Sequence, residues 1–486
     1  MPHPRPRRGS LGRGDRPPRG ARAGPLPPRH RGQAGPRRRA RPAACRCSRT
    51  ALIMPGPWPL TAERDEDGVL HIGGAAVTDL ARDHGTPLWV VDEADLRERC
   101  RRYVTGFPGV DVAYASKAWC TVGLLQLVED EGLLVDVASE GELHTALVAG
   151  VDPAKLIHHG NNKGDAELDL ALKVGLGRIV VDSFDELDRL ERLAAARDIV
   201  AQVWLRITPG IDAHTHEYVR TGHDDAKFGF TLSLGLADEA VLAARDLEHI
   251  EVVGIHAHIG SQIFGTDPFI ANADVCLDLL ARWRDEHGIV LSELNLGGGM
   301  GIRYTHEDHP VEVKRYGKAV LEAVEDACER LDFPRPRLIV EPGRAIVGPS
   351  TLTLYEIGTI KPLPGLTTWV SVDGGMGDNI RPALYDAVHE VTLANRTSEA
   401  EPQAVTVVGK HCESGDLVRE HAPLPGDLAV GDLLAVAATG AYTASMASNY
   451  NLLPRPGAVL VKDGQARELV RRETLEDLVR RDVPIR

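Results

Sequence analysis

LLVDVASEGELHTALVAG, residues 133–150, joins a short apolar run to a stretch whose apolar residues recur at helical spacing. LLVDVAS is apolar nearly throughout, as in a strand covered on both faces, and EGELHTALVAG reads as a helix. The same alternation recurs from about residue 110 onward. Apolar runs stand at DVAYAS (111–116), KLIHHG (155–160), RIVVDS (178–183) and AQVWLRI (201–207). EVVGIHAHIG (251–260), ELNLGGG (293–299) and RLIVEPG (337–343) complete the series. Buried strands separated by amphipathic helices form a parallel sheet. Eight such units predict an α/β fold closed as a (β/α)8 barrel, in preference to a doubly wound open sheet.

After residue 348 the pattern changes to β-type runs with turn signals, among them TLTLYEIGTI, TTWVSVDGG, AVTVVGKHC and GAVLVKDGQ. These predict a separate, mostly antiparallel sandwich or barrel over 349–486, with KDGQ as a hairpin turn. The expected barrel domain spans 92–348, and 54–91 is expected to join the β domain. Its TPLWVVD run has a second candidate partner in the first barrel strand. A chain of 486 residues, 43% hydrophobic and 26% charged, has the size and composition of a two-domain globular protein. No apolar run reaches the roughly eighteen residues of a membrane helix. The seven cysteines are scattered and odd in number, unlike a disulfide framework, which favours a reducing cytoplasm.

The first 53 residues differ from everything after them. They hold fifteen Arg, one Asp, no Lys and no Glu, a net +14 that leaves −28 for residues 54–486. Such a segment cannot bury enough apolar surface to fold. Three readings compete: a nucleic-acid-binding arm, a targeting peptide, or upstream sequence translated in error. The acidic body and the abrupt junction favour the third, with Met54 as the expected natural start and no nucleic-acid or membrane partner.

Barrel enzymes gather their chemistry at the carboxyl ends of the strands. Here Lys117 follows the first run, Ser139 and Glu140 the second, His158 and Asn161 the third. His258 and Ser261 close the sixth, glycines 297–299 the seventh, and Glu341 with Arg344 the eighth. A lone lysine after a strand, as in VAYASKAWC (112–120), is by default a solvated terminus. Within a ring of polar groups it reads as an amine kept for covalent chemistry. NLGGGMG (295–301) is a poor dinucleotide fingerprint, because its glycines follow strand seven instead of opening the first βαβ unit. Loops after strands seven and eight of a barrel hold phosphates, and EPGR (341–344) adds a helix start and a guanidinium. A phosphate cup with a lysine across the barrel mouth suggests pyridoxal 5′-phosphate. No metal is expected. His214, His216 and His223 near Asp224 and Asp225 lack H-E-x-x-H order, HEDH (306–309) reads as a solvated loop, and Cys45 with Cys47 has no second zinc-spaced pair.

YASKA, HAHIGSQ, GGGMG, EPGR, DNIRPALY, CESGD and GAY, in that order, resemble the diaminopimelate decarboxylases. These are barrel-type pyridoxal-phosphate enzymes related to alanine racemase and ornithine decarboxylase. The resemblance covers about residues 55–480 and includes KFG (227–229) and the PGIDAHTHEYVRTGH loop before it. It implies decarboxylation of meso-2,6-diaminopimelate to L-lysine and CO2, the last step of lysine biosynthesis. It also implies that Lys117 carries the cofactor as a Schiff base, that Glu341 pairs with the pyridine nitrogen, and that His258 lies against the ring. The phosphate would rest on Gly298, Gly299, Pro342, Gly343 and the backbone of Arg344, with Ser261 beside it. Arg344, Arg381 and Tyr385 would hold the substrate's distal carboxylate, Glu413 its distal ammonium, and Tyr442 would touch substrate and cofactor. Cys412 would donate a proton, and both Cys412 and Glu413 would reach the barrel of a partner in a homodimer with shared sites.

By themselves these residues leave other readings open. Arg381 also fits a surface ion pair, and Cys412 an inert core thiol. Ornithine, arginine or a related diamino acid is the rival substrate, and a non-catalytic pyridoxal-phosphate carrier the rival class. The arginine and tyrosine of NIRPALY with the glutamate of CESGD match a zwitterionic distal end, which favours diaminopimelate.

Overall fold

The computed structural model describes residues 52–54, 56–211 and 226–486. Within them eight parallel strands close a barrel: Asp111–Ala115, Leu134–Val137, Leu156–His158, Arg178–Val181, Ala201–Thr208, Ile250–Ala257, Glu293–Asn295 and Arg337–Val340. Each apolar run singled out in the sequence is one of these strands. The ring closes where Ile339 and Val340 of the eighth strand lie opposite Asp111 and Val112 of the first. Alternation along the strands divides their side chains between two environments. Ala113, Ile157, Val180, Trp204 and Ile339 pack together as one cluster. Tyr114, Val135 and Leu205 join the larger core made with the helices. Ser139 and Ser183 start two of those helices, each hydroxyl accepting the backbone N–H three residues on.

The second domain is built on the long strand Thr351–Leu363, antiparallel to Thr367–Val372, to Leu433–Val436 and to Leu88–Asp92. Leu88–Asp92 pairs along its other edge, in parallel, with Gly457–Lys462. The TPLWVVD run therefore lies inside the β domain and not beside the first barrel strand. Its last residue caps the helix Glu93–Gly106 that leads into the barrel, the Asp92 carboxylate accepting from the N–H groups of Ala94 and Asp95. The KDGQ hairpin joins Gly457–Lys462 to Gln465–Val470 through Asp463 (φ 51°) and Gly464 (φ 74°). Positive φ at both central positions suits the twist of the flanking strands, and glycine adopts it without strain.

A charged network spans the amino ends of the strands. Glu293, first in its strand, accepts from Arg178 Nε (2.7 Å) and Nη2 (2.6 Å), from Arg337 Nη1 (3.1 Å) and from Trp204 Nε1 (2.7 Å). Burial opposes its charge, but the hydrogen bonds from Arg178 and Trp204 outweigh that and hold the carboxyl below its ordinary range. Glu293→Gln is expected to lower the melting temperature, a loss of about 3 kcal/mol for a broken, largely buried ion pair. Differential scanning calorimetry of the variant beside the parent protein checks this.

Candidate active site

The carboxyl ends of the strands converge on Glu341. One of its oxygens accepts from His159 Nε2 (2.8 Å) and Asn295 Nδ2 (2.6 Å), and the other from His256 Nε2 (3.1 Å). The two imidazoles meet edge to face, with centroids 4.6 Å apart. Burial alone would raise the Glu341 pKa, yet these neighbours hold it well below the ordinary carboxylate range. His256, fully enclosed, is pushed down to about 3 and is a neutral N–H donor at pH 7. Its hold on Glu341 is thus a hydrogen bond and not a charge. The three side chains are also close enough to share a metal ion. Both imidazole nitrogens facing the carboxylate donate to it, which is the opposite of what a ligand nitrogen does.

Lys117 sits in the turn Ser116–Ala118 directly after the first strand. Its side chain is exposed and lines the cavity at the barrel mouth. Desolvation opposes its charge, but Tyr442, Asp136 and Glu341 outweigh this and raise the ammonium pKa. Asp136 is itself pushed up to about 6, by burial first and by Glu341 with it.

The glycine run bends across the same cavity, with Gly297 at φ 68° and Gly299 at φ 125°. A Cβ on Gly298 would fall on the carbonyl oxygen of Glu341, and one on Gly299 on that of Gly260, both far inside van der Waals contact. Only bare backbone fits. The Gly298 N–H donates to His258 Nδ1 (3.2 Å), and burial lowers the His258 pKa well below its usual value, so a neutral ring faces the cavity. Arg344 closes the far wall, donating to Ser261 Oγ through Nε (3.1 Å) and Nη2 (2.8 Å) and to the Tyr304 hydroxyl through Nη1 (2.5 Å). Its guanidinium also lies over the Tyr442 ring, 4.8 Å from the centroid. The Tyr442 backbone, at φ 59°, donates its N–H to the Ala118 carbonyl (2.9 Å) and so ties the β domain to the lysine turn.

Arg344 also lines a second, wider cavity with Arg381, Tyr385 and Tyr304. Arg381 is buried, with its guanidinium 4.9 Å from the Tyr304 centroid and 5.7 Å from that of Tyr385. Its Nε has no hydrogen-bond partner. Burial, followed by repulsion from Arg344, lowers its pKa. Among the described residues no carboxylate lies within ion-pair distance of either arginine, which removes the surface ion-pair reading of Arg381.

Residues 93–348 match the family described as pyridoxal-dependent decarboxylase, pyridoxal binding domain. Diaminopimelate decarboxylase of Bacillus subtilis is 47% identical over 431 residues, 88% of this chain and 98% of that protein. Diaminopimelate decarboxylase of Mycobacterium tuberculosis is 44% identical over 440 residues, 89% of this chain and 98% of that protein. A crystal structure of diaminopimelate decarboxylase from M. jannaschii in complex with L-lysine superposes with a TM-score of 0.82 at 34% identity, covering 87% of this chain and 98% of that one. This chain belongs to the diaminopimelate decarboxylases.

The cofactor of this pyridoxal-dependent family is pyridoxal 5′-phosphate, and the residues present fit it: an amine, an ionised carboxylate held by N–H donors, a neutral imidazole, and a glycine cradle that no side chain can enter. The diaminopimelate decarboxylase motifs HAHIGSQ, GGGMG and EPGR converge with Lys117 on this one cavity. Several positions depart from the sequence reading. His158 turns away to bond Glu167 (2.9 Å), and His159 is the residue that reaches Glu341. Successive strand residues face opposite sides, so a slip of one position exchanges their environments. Ser139 is a helix cap, and Lys163, the other lysine near a strand end, is buried against Glu186 at 2.6 Å. The sequence reading does not single out His256, Asn295, Asp136 or Tyr304, although His256 stands two residues before His258, which puts both on one face. Cys412 is exposed, which removes its reading as a core thiol, and neither Cys412 nor Glu413 lines either cavity. Their loop is braced by Asp416, which accepts from His411 N (2.7 Å) and Met376 N (2.6 Å), and by Asn451, which accepts from Cys412 N (2.7 Å). His214, His216 and His223 lie outside the described residues.

Gly298→Ala is expected to weaken cofactor binding at least about tenfold, because the new methyl meets backbone that cannot yield. Titration of cofactor-free protein, followed by visible absorbance, measures the change.

Proposed function

We propose that this chain decarboxylates meso-2,6-diaminopimelate to L-lysine and CO2, the last step of lysine biosynthesis, and that its sites are shared between two chains. The observation that carries the substrate is the pair of buried guanidiniums with no carboxylate within ion-pair distance among the described residues, although Glu307, Asp308, Asp386 and Glu390 line the same cavity. A buried arginine left unpaired costs several kcal/mol, roughly 3–5 where a partner has been removed. A substrate with a carboxylate at its distal end offsets that cost, and ornithine has none to offer. Bound pyridoxal phosphate supplies an electron sink for the carbanion left when CO2 departs.

This chain's residues do the rest. Lys117 would hold the cofactor through its amine, and Glu341 would keep a proton on the pyridine nitrogen. Gly298, Gly299 and the turn Pro342, Gly343 and Arg344 would carry the phosphate, with Ser261 beside them, while His258 would pack against the ring. Arg344, Arg381 and Tyr385 orient the distal carboxylate, and Tyr442 closes the space between cofactor and substrate. Glu413 accepts the distal ammonium and Cys412 delivers a proton, both from the partner chain. The support for this last assignment is that both lie on an exposed, well-braced loop outside the cavities of their own chain. A two-fold dimer, the commonest symmetry of soluble oligomers, would present that loop to a neighbour twice over. The barrel of 92–348 thus holds the cofactor, and the β domain of 349–486 supplies the partner's loop. All five cysteines among the described residues are free thiols, which supports a reducing, cytoplasmic setting.

The substrate is tested by measuring CO2 release from meso-diaminopimelate, ornithine and arginine with purified holoenzyme. Release from diaminopimelate is expected, and Arg381→Ala should raise its KM by about thirtyfold or more, as for a lost charged hydrogen bond. Release from ornithine alone would overturn the substrate.

The shared site is tested by complementation. Lys117→Ala and Cys412→Ala chains, each nearly inactive alone, are mixed under conditions in which subunit exchange is demonstrated. One site in every mixed dimer then keeps both parental residues, so activity should return to about a quarter of the parent at random pairing. Exchange without recovery would mean that Cys412 serves its own barrel.

A further inference from the structure

Tyr304 stands where the two arginines meet. It is buried, its hydroxyl accepts from Arg344 Nη1 at 2.5 Å, and its ring lies 4.9 Å from the guanidinium carbon of Arg381. The ring is itself held in place. His389 packs against it edge to face with centroids 4.9 Å apart, and the Asp308 carboxylate accepts the backbone N–H groups of Tyr304 and Thr305 at 2.9 Å each. His389 is pushed down to about 3, by burial first and by Arg381 next, so it adds no charge to the cluster.

Arg344 and Arg381 carry like charges on long, rotatable stems, and nothing anionic from the described residues separates them. Their like charges repel each other. Tyr304 offers each a different attraction: an oxygen lone pair to Arg344 and the electron-rich ring face to Arg381. Tyr304 therefore contacts both guanidiniums at the wall of one cavity, adding to the hold of Ser261 and Tyr442 on Arg344 and of Tyr385 on Arg381. Pre-set donors spare a ligand the entropy of ordering them.

We propose that Tyr304 is the positioning residue that sets this site's preference for a distal carboxylate. The proposal rests on the assignment of Arg344 and Arg381 to that carboxylate. It predicts selective loss of affinity for anionic distal groups when Tyr304 changes, with the chemistry at the cofactor preserved.

The test is steady-state kinetics of the holoenzyme with meso-diaminopimelate, using Tyr304→Phe, Tyr304→Leu and Arg381→Ala, with cofactor occupancy read from visible absorbance. Tyr304→Phe keeps the ring and loses the hydroxyl, so KM should rise about tenfold. Tyr304→Leu loses both attractions, and KM should rise about a hundredfold. In both, kcat should stay within about threefold of the parent and occupancy should not change. Two inhibitors separate positioning from general disruption. The inhibition constant of pimelate, a dicarboxylate without amines, should rise with KM, while that of cadaverine, a diamine without carboxylates, should not. If Arg381→Ala raises KM but both Tyr304 variants leave KM and pimelate inhibition unchanged, or weaken cadaverine equally, the positioning role is wrong and the substrate assignment stands. If Arg381→Ala leaves KM unchanged, the distal-carboxylate assignment falls and the role of Tyr304 falls with it.

Discussion

Backbone pairing of Ile339 and Val340 with Asp111 and Val112 joins the last barrel strand to the first, and the site depends on that seam. It sets the lysine turn against the EPGR turn, with the Ala115 N–H donating to the Pro342 carbonyl at 3.1 Å. A Cβ on Gly343 would press on the backbone and side chain of Ala115, so the two turns are in full contact. Lys117 and Glu341, far apart in sequence, consequently line one cavity. The glycine run lies against the other side of the eighth strand's end, because the seventh strand is its remaining neighbour.

Two buried carboxylates near the barrel mouth have opposite fates, and their partners explain why. Glu341 receives three N–H donors and stays ionised. Asp136 has one oxygen with no hydrogen-bond partner and is pushed up to about 6. Burial penalises both charges; the two imidazoles and the Asn295 amide offset it at Glu341, while the Glu341 charge adds to it at Asp136. The result is one firm negative charge at the cavity that Lys117 lines, and a second carboxylate nearby that is held less firmly ionised.

The barrel was legible because each strand is apolar along its length and each is followed by a helical pattern. Lys117, His258, the glycine run, Glu341 and Arg344 were legible because chemistry in a barrel collects at strand ends. Residues whose role depends on facing were not. His158 and His159 are neighbours of the same type, and only the pleat decides which one enters the barrel. Tyr304 lies in a loop with no motif of its own, and its meaning comes from two arginines that arrive from elsewhere in the chain. The burial of Arg381 without a counter-charge is likewise a property of the assembled cavity. The exposure of Cys412 could not be read from its surrounding sequence, since CESGD serves equally as a turn.

The strand Leu88–Asp92 has a consequence for how the chain is made. It is buried along its whole length and paired on both edges within the β domain, yet its partners begin at Thr351 and Gly457. On the ribosome, at roughly 5–20 residues per second, it emerges on the order of ten seconds or more before either partner exists. Through that interval an apolar segment with two open edges must wait while the entire barrel is synthesised. Such an edge is a template for pairing with other nascent chains.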